Sequence, residues 1–171
     1  AAGQRIATPS IVVRRDVYEH LGGFDRRIVC CGEDWEMWVR IAAHYPVGYE
    51  VEPLAVYRFK PLESLALARI CQIMQDMRMA SEIIQAYLPK HLPQTVANKL
   101  LNQARETYAF WALEPATQML SKGNTVTGID LIREALQCSH SFRVSKIIGR
   151  IILRAGISQI KQKVTTSLLS A

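Results

Sequence analysis

Two adjacent carboxylates, Glu33 and Asp34, follow Gly32 and precede Trp35, at a point where loop-like sequence gives way to a helical pattern. A carboxylate at such a boundary can take a proton from a substrate hydroxyl as a general base. Upstream, Gly22 and Gly23 allow another group to approach the backbone closely, and Phe24 and Asp25 follow them. Trp35 and Trp38 stand one helical turn apart and offer either a sugar-stacking wall or core. Acidic residues in a first helical turn also suit the helix dipole, so the carboxylate pair taken alone is equally compatible with a structural role.

The elements that must hold these residues alternate in character. Residues 8–14, Thr-Pro-Ser-Ile-Val-Val-Arg, are rich in β-branched side chains and read as a strand. Asp16 is placed to cap a short helix over Val17–Leu21, which Gly22 and Gly23 stop. A helix is expected from Glu33 to Tyr45, ended by Pro46. Val47–Tyr57 reads as one or two short strands broken at Glu52-Pro53. The expected fold class is therefore α+β, mostly α, with a strand-helix part at residues 1–60.

Beyond Pro61 the composition turns helical. Residues 62–87 contain neither Pro nor Gly and read as one long helix. A second helix is expected over 95–113, with Pro115 bending it or starting another, and a third over Val126–Gln137. These form a helical extension at 61–140. From Ser141 to residue 171 the pattern is a basic amphipathic helix, with Gly156 as an expected break. Arg143, Lys146, Arg150 and Arg154 share a stripe beside Val144, Ile147, Ile148, Ile151 and Ile152. All 15 acidic residues lie at or before Glu134, so the entire net charge of +6 sits after it.

Several classes are excluded. No apolar run reaches the ~18 residues needed to span a bilayer. Cys30, Cys31, Cys71 and Cys138 form no CxxC pair and no zinc-type cluster, so no metal site is expected, and free thiols fit a reducing cytosol. His20, His44, His91 and His140 are scattered and read as surface or structural. The opening Ala1-Ala2-Gly3-Gln4, without an initiator Met, reads as a piece of a longer protein.

The order of motifs carries more than any one of them. Ser10-Ile11-Val12-Val13-Arg14-Arg15, Leu21-Gly22-Gly23-Phe24-Asp25, Gly32-Glu33-Asp34-Trp35, Trp38-Val39-Arg40 and Tyr57-Arg58 follow one another at characteristic distances. In this, residues 8–58 resemble the end of the catalytic domain of inverting family-2 glycosyltransferases of the GT-A fold. The resemblance implies transfer of a sugar from a nucleotide-sugar donor to an acceptor hydroxyl of a glycan, lipid-linked or protein acceptor. Asp34 is then the general base and Glu33 its neighbour at the acceptor. Gly22, Gly23 and Phe24 border the acceptor site, and Trp35, Arg58 and Lys60 are further substrate-binding candidates. The family's donor-site Asp-x-Asp does not occur in this sequence, so the chain alone is expected to hold no cofactor and to be inactive. Many relatives carry a His soon after the Tyr-Arg. Here Phe59-Lys60 follows, and Lys60 can serve as a point cation for the diphosphate. A divalent metal, Mg or Mn, stays open for the full-length enzyme.

Three readings compete for the basic tail: an anionic membrane surface bound through residues 141–163, a packed terminal helix with its cations in water, or nucleic acid. Phe142 is the tail's one aromatic side chain, which argues against nucleic acid. The implied location is cytoplasmic, peripheral to the membrane if the first reading holds. A non-catalytic helical interaction module is the alternative for the chain as a whole. An unpaired strand edge would also invite self-association.

Overall fold

The computed structural model describes residues 6–57 and 69–169, with side chains placed as far as residue 156. Among the described residues, six α-helices follow a short 3-10 turn at Thr8–Ser10: α1 Arg15–Leu21, α2 Glu33–His44, α3 Ile70–Tyr87, α4 Gln94–Ser121, α5 Thr125–Cys138 and α6 Phe142–Leu169. A second 3-10 turn, Leu88–Lys90, follows α3. The chain divides into two compact units, Ala1–Tyr108 and Ala109–Ala171, with the division inside α4.

The described residues form a helical protein without a strand, which corrects the α+β expectation and its GT-A strand-helix assignment for residues 1–60. The physical reason lies in what a strand requires. Ile11 and Arg14 do adopt extended backbone, at φ −107°, ψ 132° and φ −65°, ψ 144°. Local preference for extension is therefore expressed, but a strand also needs a neighbour to take its N–H and C=O groups. No such neighbour exists among the described residues, and Val12 is fully exposed. Residues 47–57 behave alike: Val47, Tyr49, Val51, Leu54, Val56 and Tyr57 are all exposed along an irregular segment. Among the described residues there is then no strand edge of the kind invoked for self-association.

In the first unit α2 packs on α3 and on α1. Its core joins Ile28 and Trp35 to Met77, Ala80, Ile83 and Ile84 of α3 and to Ala97, Leu101, Ala104 and Tyr108 of α4. The α3 residues recur at helical spacing, so one stripe is buried and the opposite face, with Gln75, Glu82 and Gln85, is wet. In the second unit α5 packs on α6. Leu131, Ile132, Ala135 and Cys138 of α5 and Val144, Ile148 and Ile151 of α6 are buried. Asn124 caps α5 by accepting from the Thr127 amide at 3.3 Å. Pro115 lies inside α4, and α6 runs through Gly156 without the expected break.

Candidate functional site

The site is built where the Gly22-Gly23 corner, the loop at residues 28–32 and the first turns of α2 meet. Gly22 ends α1 with φ +77°, a conformation costly for any residue with a Cβ. Gly32 starts α2 with φ +98° and lies against α3, where a Cβ would come within 3.1 Å of the Met77 sulfur. Glycine is required there by backbone and packing together.

Arg40 ties the corner to the helix. Its Nη1 donates to the Leu21 carbonyl at 2.5 Å and its Nη2 to the Gly23 carbonyl at 2.8 Å. The same guanidinium grips the Glu36 carboxylate in a two-pronged pair, Nε to Oε1 at 3.0 Å and Nη2 to Oε2 at 2.9 Å. The Glu36 side chain is 1% exposed. Two-pronged geometry of this kind is the strong form of an ion pair. Phe24 meets Trp38 edge-on, with ring centroids 6.2 Å apart. Asp25 is turned back on Arg27, accepting from its amide and guanidinium, and these bonds hold its carboxyl down at about 2 against the opposing effect of burial.

Asp34 is half-buried in the first turn of α2. Its Oδ2 accepts the Thr8 hydroxyl at 2.8 Å and its Oδ1 accepts the Trp35 amide at 2.7 Å. These two bonds orient the Asp34 side chain. Next to it, Glu33 has one oxygen, Oε2, buried with no hydrogen-bond partner among the described residues. Such an acceptor is costly to leave unused.

Trp35 lies elsewhere than the sequence suggests. It is 3% exposed and meets Tyr108 of α4 edge-on at 5.1 Å, so its ring is core rather than a sugar platform. Arg58 and Lys60 lie outside the described residues. The histidines are less scattered than they look in sequence: the His44 and His91 rings lie 4.3 Å apart, and His20 shares a 2.5 Å hydrogen bond with the Tyr45 hydroxyl. No group of His, Cys, Asp or Glu among the described residues is arranged to hold a metal ion.

Asp76 of α3 is the organising residue that sequence reasoning missed. It is 3% exposed, and its Oδ2 accepts the backbone amides of Val29, Cys30 and Cys31 at 3.1, 2.5 and 3.2 Å. Its Oδ1 accepts from Gln72 at 2.8 Å. One carboxylate thus holds the loop that leads into Glu33 and Asp34. A signal existed in the sequence: Asp76 stands in line with Ala80 and Ile83 on the apolar stripe of a helix, where an isolated acid needs partners. Tyr87, also on α3, donates to the Glu36 carbonyl at 3.3 Å, and burial pushes its hydroxyl well above the ordinary tyrosine range.

The cysteines of this loop are free thiols. Burial, reinforced by the negative charges of Glu33, Asp34, Cys30 and Asp76, pushes the Cys31 thiol up to about 11. The thiolate is the reactive species. At pH 8, Cys31 is therefore expected to alkylate with iodoacetamide roughly a hundredfold more slowly than an unperturbed exposed thiol. The rate should climb as pH approaches 11, which peptide mapping by mass spectrometry will read. Rapid labelling of Cys31 at neutral pH would contradict this environment.

Compared with known proteins, the chain matches no protein-family model, no curated protein and no solved structure.

Proposed function

We propose that the chain is the C-terminal portion of an inverting glycosyltransferase, in which Asp34 deprotonates the acceptor hydroxyl. The observation that carries this reading is the Arg40 clamp. It joins the Leu21-Gly22-Gly23-Phe24-Asp25 corner to the Gly32-Glu33-Asp34 helix start through two backbone carbonyls. Two motifs that are separate in sequence and ordinary singly are thereby held as one piece, with an oriented carboxylate at its edge.

The chemistry is a single displacement. The acceptor oxygen attacks the anomeric carbon of the donor sugar as its proton passes to Asp34. The bond from that carbon to the nucleoside diphosphate breaks, and the configuration inverts. The Thr8 hydroxyl and the Trp35 amide fix the orientation of Asp34, and Glu33 stands beside it in the same helical turn. The chain's sequence contains no Asp-x-Asp, so donor binding, with or without a divalent metal, is assigned to a longer protein and not to these residues. The setting we propose is cytoplasmic.

Asp34→Asn tests the reading. Asparagine keeps the size of the side chain and one acceptor oxygen but cannot take up the proton. In the longer protein, acceptor-dependent release of nucleoside diphosphate from a panel of nucleotide sugars is expected to fall by at least about a hundredfold. Donor binding should be unchanged. Undiminished turnover would remove Asp34 from the base role.

A further inference from the structure

Helix α6 exposes a surface that differs from the one its sequence pattern suggests. The isoleucine flank looks free to enter a lipid layer, but Val144, Ile148 and Ile151 are buried within the chain and Ile147 is half-buried, while Ile152 is exposed at 56%. What faces outward is Lys146, Arg150 and Arg154, with Phe142 79% exposed and Leu153 65% exposed. At 100° per residue, Phe142, Leu153 and Lys146 fall within one narrow arc, and Arg150, Arg143 and Arg154 continue it on one side. Arg143 lies over the Phe110 ring at 5.5 Å, so it is anchored by its own unit. Lys146, Arg150 and Arg154 have no ion-pair partner among the described residues. Further along the chain the sequence adds Lys161 and Lys163, and it has no acid anywhere after Glu134. Among the described residues no helix is long and apolar enough to cross a membrane.

We infer that this outward face of α6 is a docking surface for an anionic phospholipid bilayer. Lys146, Arg150 and Arg154 meet the phosphates while Phe142 and Leu153 enter the headgroup layer. Charge complementarity selects the occupant, because a continuous cationic band matches a surface of fixed negative charge and repels a basic one. The exposed aromatic and aliphatic side chains select lipid over nucleic acid. A nucleic-acid groove would interleave several stacking rings with its cations, whereas a bilayer accepts one aromatic and one leucine at the rim of a basic face. The inference is independent of the role of Asp34, since no residue of that site takes part.

The test is sedimentation of the whole chain with sucrose-loaded vesicles, either phosphatidylcholine alone or phosphatidylcholine mixed with phosphatidylglycerol. Binding to the mixed vesicles and not to the neutral ones is expected, weakening as salt shortens the screening length. Each cation near such a surface contributes roughly fivefold in partition. The combined variant K146Q/R150Q/R154Q should therefore lose on the order of a hundredfold. F142S/L153S should bind less tightly and become more salt-sensitive. R26Q, which removes an exposed cation from the loop after Phe24, should bind like the native chain, and circular dichroism should show each variant still helical. Equal binding to both vesicle types, no binding to either, or undiminished binding of the triple variant would overturn the assignment. So would retention of a poly(U) homopolymer at a salt concentration where the vesicles are ignored, which would give the surface to nucleic acid.

Discussion

Replacing Arg40 with alanine is expected to lower the stability of the chain by about 3–5 kcal/mol, the range for breaking one side of a buried ion pair. Four acceptors lose their donor at once: both oxygens of Glu36 and the carbonyls of Leu21 and Gly23. The Glu36 side chain is the decisive one, because at 1% exposure it has no route to water as a substitute. Pairing this change with Glu36→Gln should recover part of the loss, since the stranded charge is then gone and only hydrogen bonds are missing. The two carbonyls would still lack their clamp, so recovery should be incomplete. Urea unfolding followed by circular dichroism gives both numbers from the shift in midpoint. A loss below about 1 kcal/mol for Arg40→Ala would mean that the pair behaves like an exposed one and that the corner is held by other contacts.

Asp76→Ala is the second large effect expected. It leaves three part-buried backbone amides and the Gln72 side chain without their acceptor. A buried unsatisfied group costs about 1–3 kcal/mol, and loop amides recover part of that by turning toward water. A total near 3 kcal/mol is expected. The effect should also be local. Hydrogen exchange at the Val29, Cys30 and Cys31 amides should accelerate far more than exchange along α4. Asp76→Asn retains one acceptor oxygen and should fall between the native chain and the alanine variant. If the three amides exchange at the native rate in Asp76→Ala, the carboxylate does not hold the loop. If α4 exchanges as fast as the loop does, the residue supports the whole unit and not the loop in particular.

These two residues also mark how much of the site was legible in the sequence. Arg40 was visible as the end of the Trp38-Val39-Arg40 run, but nothing in its spacing revealed that its partners are backbone carbonyls at Leu21 and Gly23. A carbonyl carries no sequence signature. Asp76 lies more than forty residues from the amides it accepts, and helical periodicity reports only which face it occupies. Glu33 and Asp34 were legible because their position depends on a local event, the start of a helix after Gly32. For Trp35 the sequence left a sugar-stacking wall and core both open, because periodicity identifies an apolar face without saying whether protein or ligand covers it.

By itself the sequence determined that these regions are helical, since a helix depends on contacts three and four residues apart, although the expected stops near Pro115 and Gly156 did not end α4 and α6. Helix α2, helix α5 and the end of α3 fall within a few residues of expectation, and the run of cations after Glu134 is a matter of composition alone. Only the tertiary structure decided the rest. It showed that extended, β-branched segments at residues 11–14 and 47–57 do not become strands, because a strand is defined by a partner and not by its own residues. It turned Ile148 and Ile151 of α6 inward and left Phe142, Ile152, Leu153 and the cations outside. It brought Arg40 to the Gly22-Gly23 corner and Asp76 to the loop before Asp34, through packing between helices that no local pattern encodes.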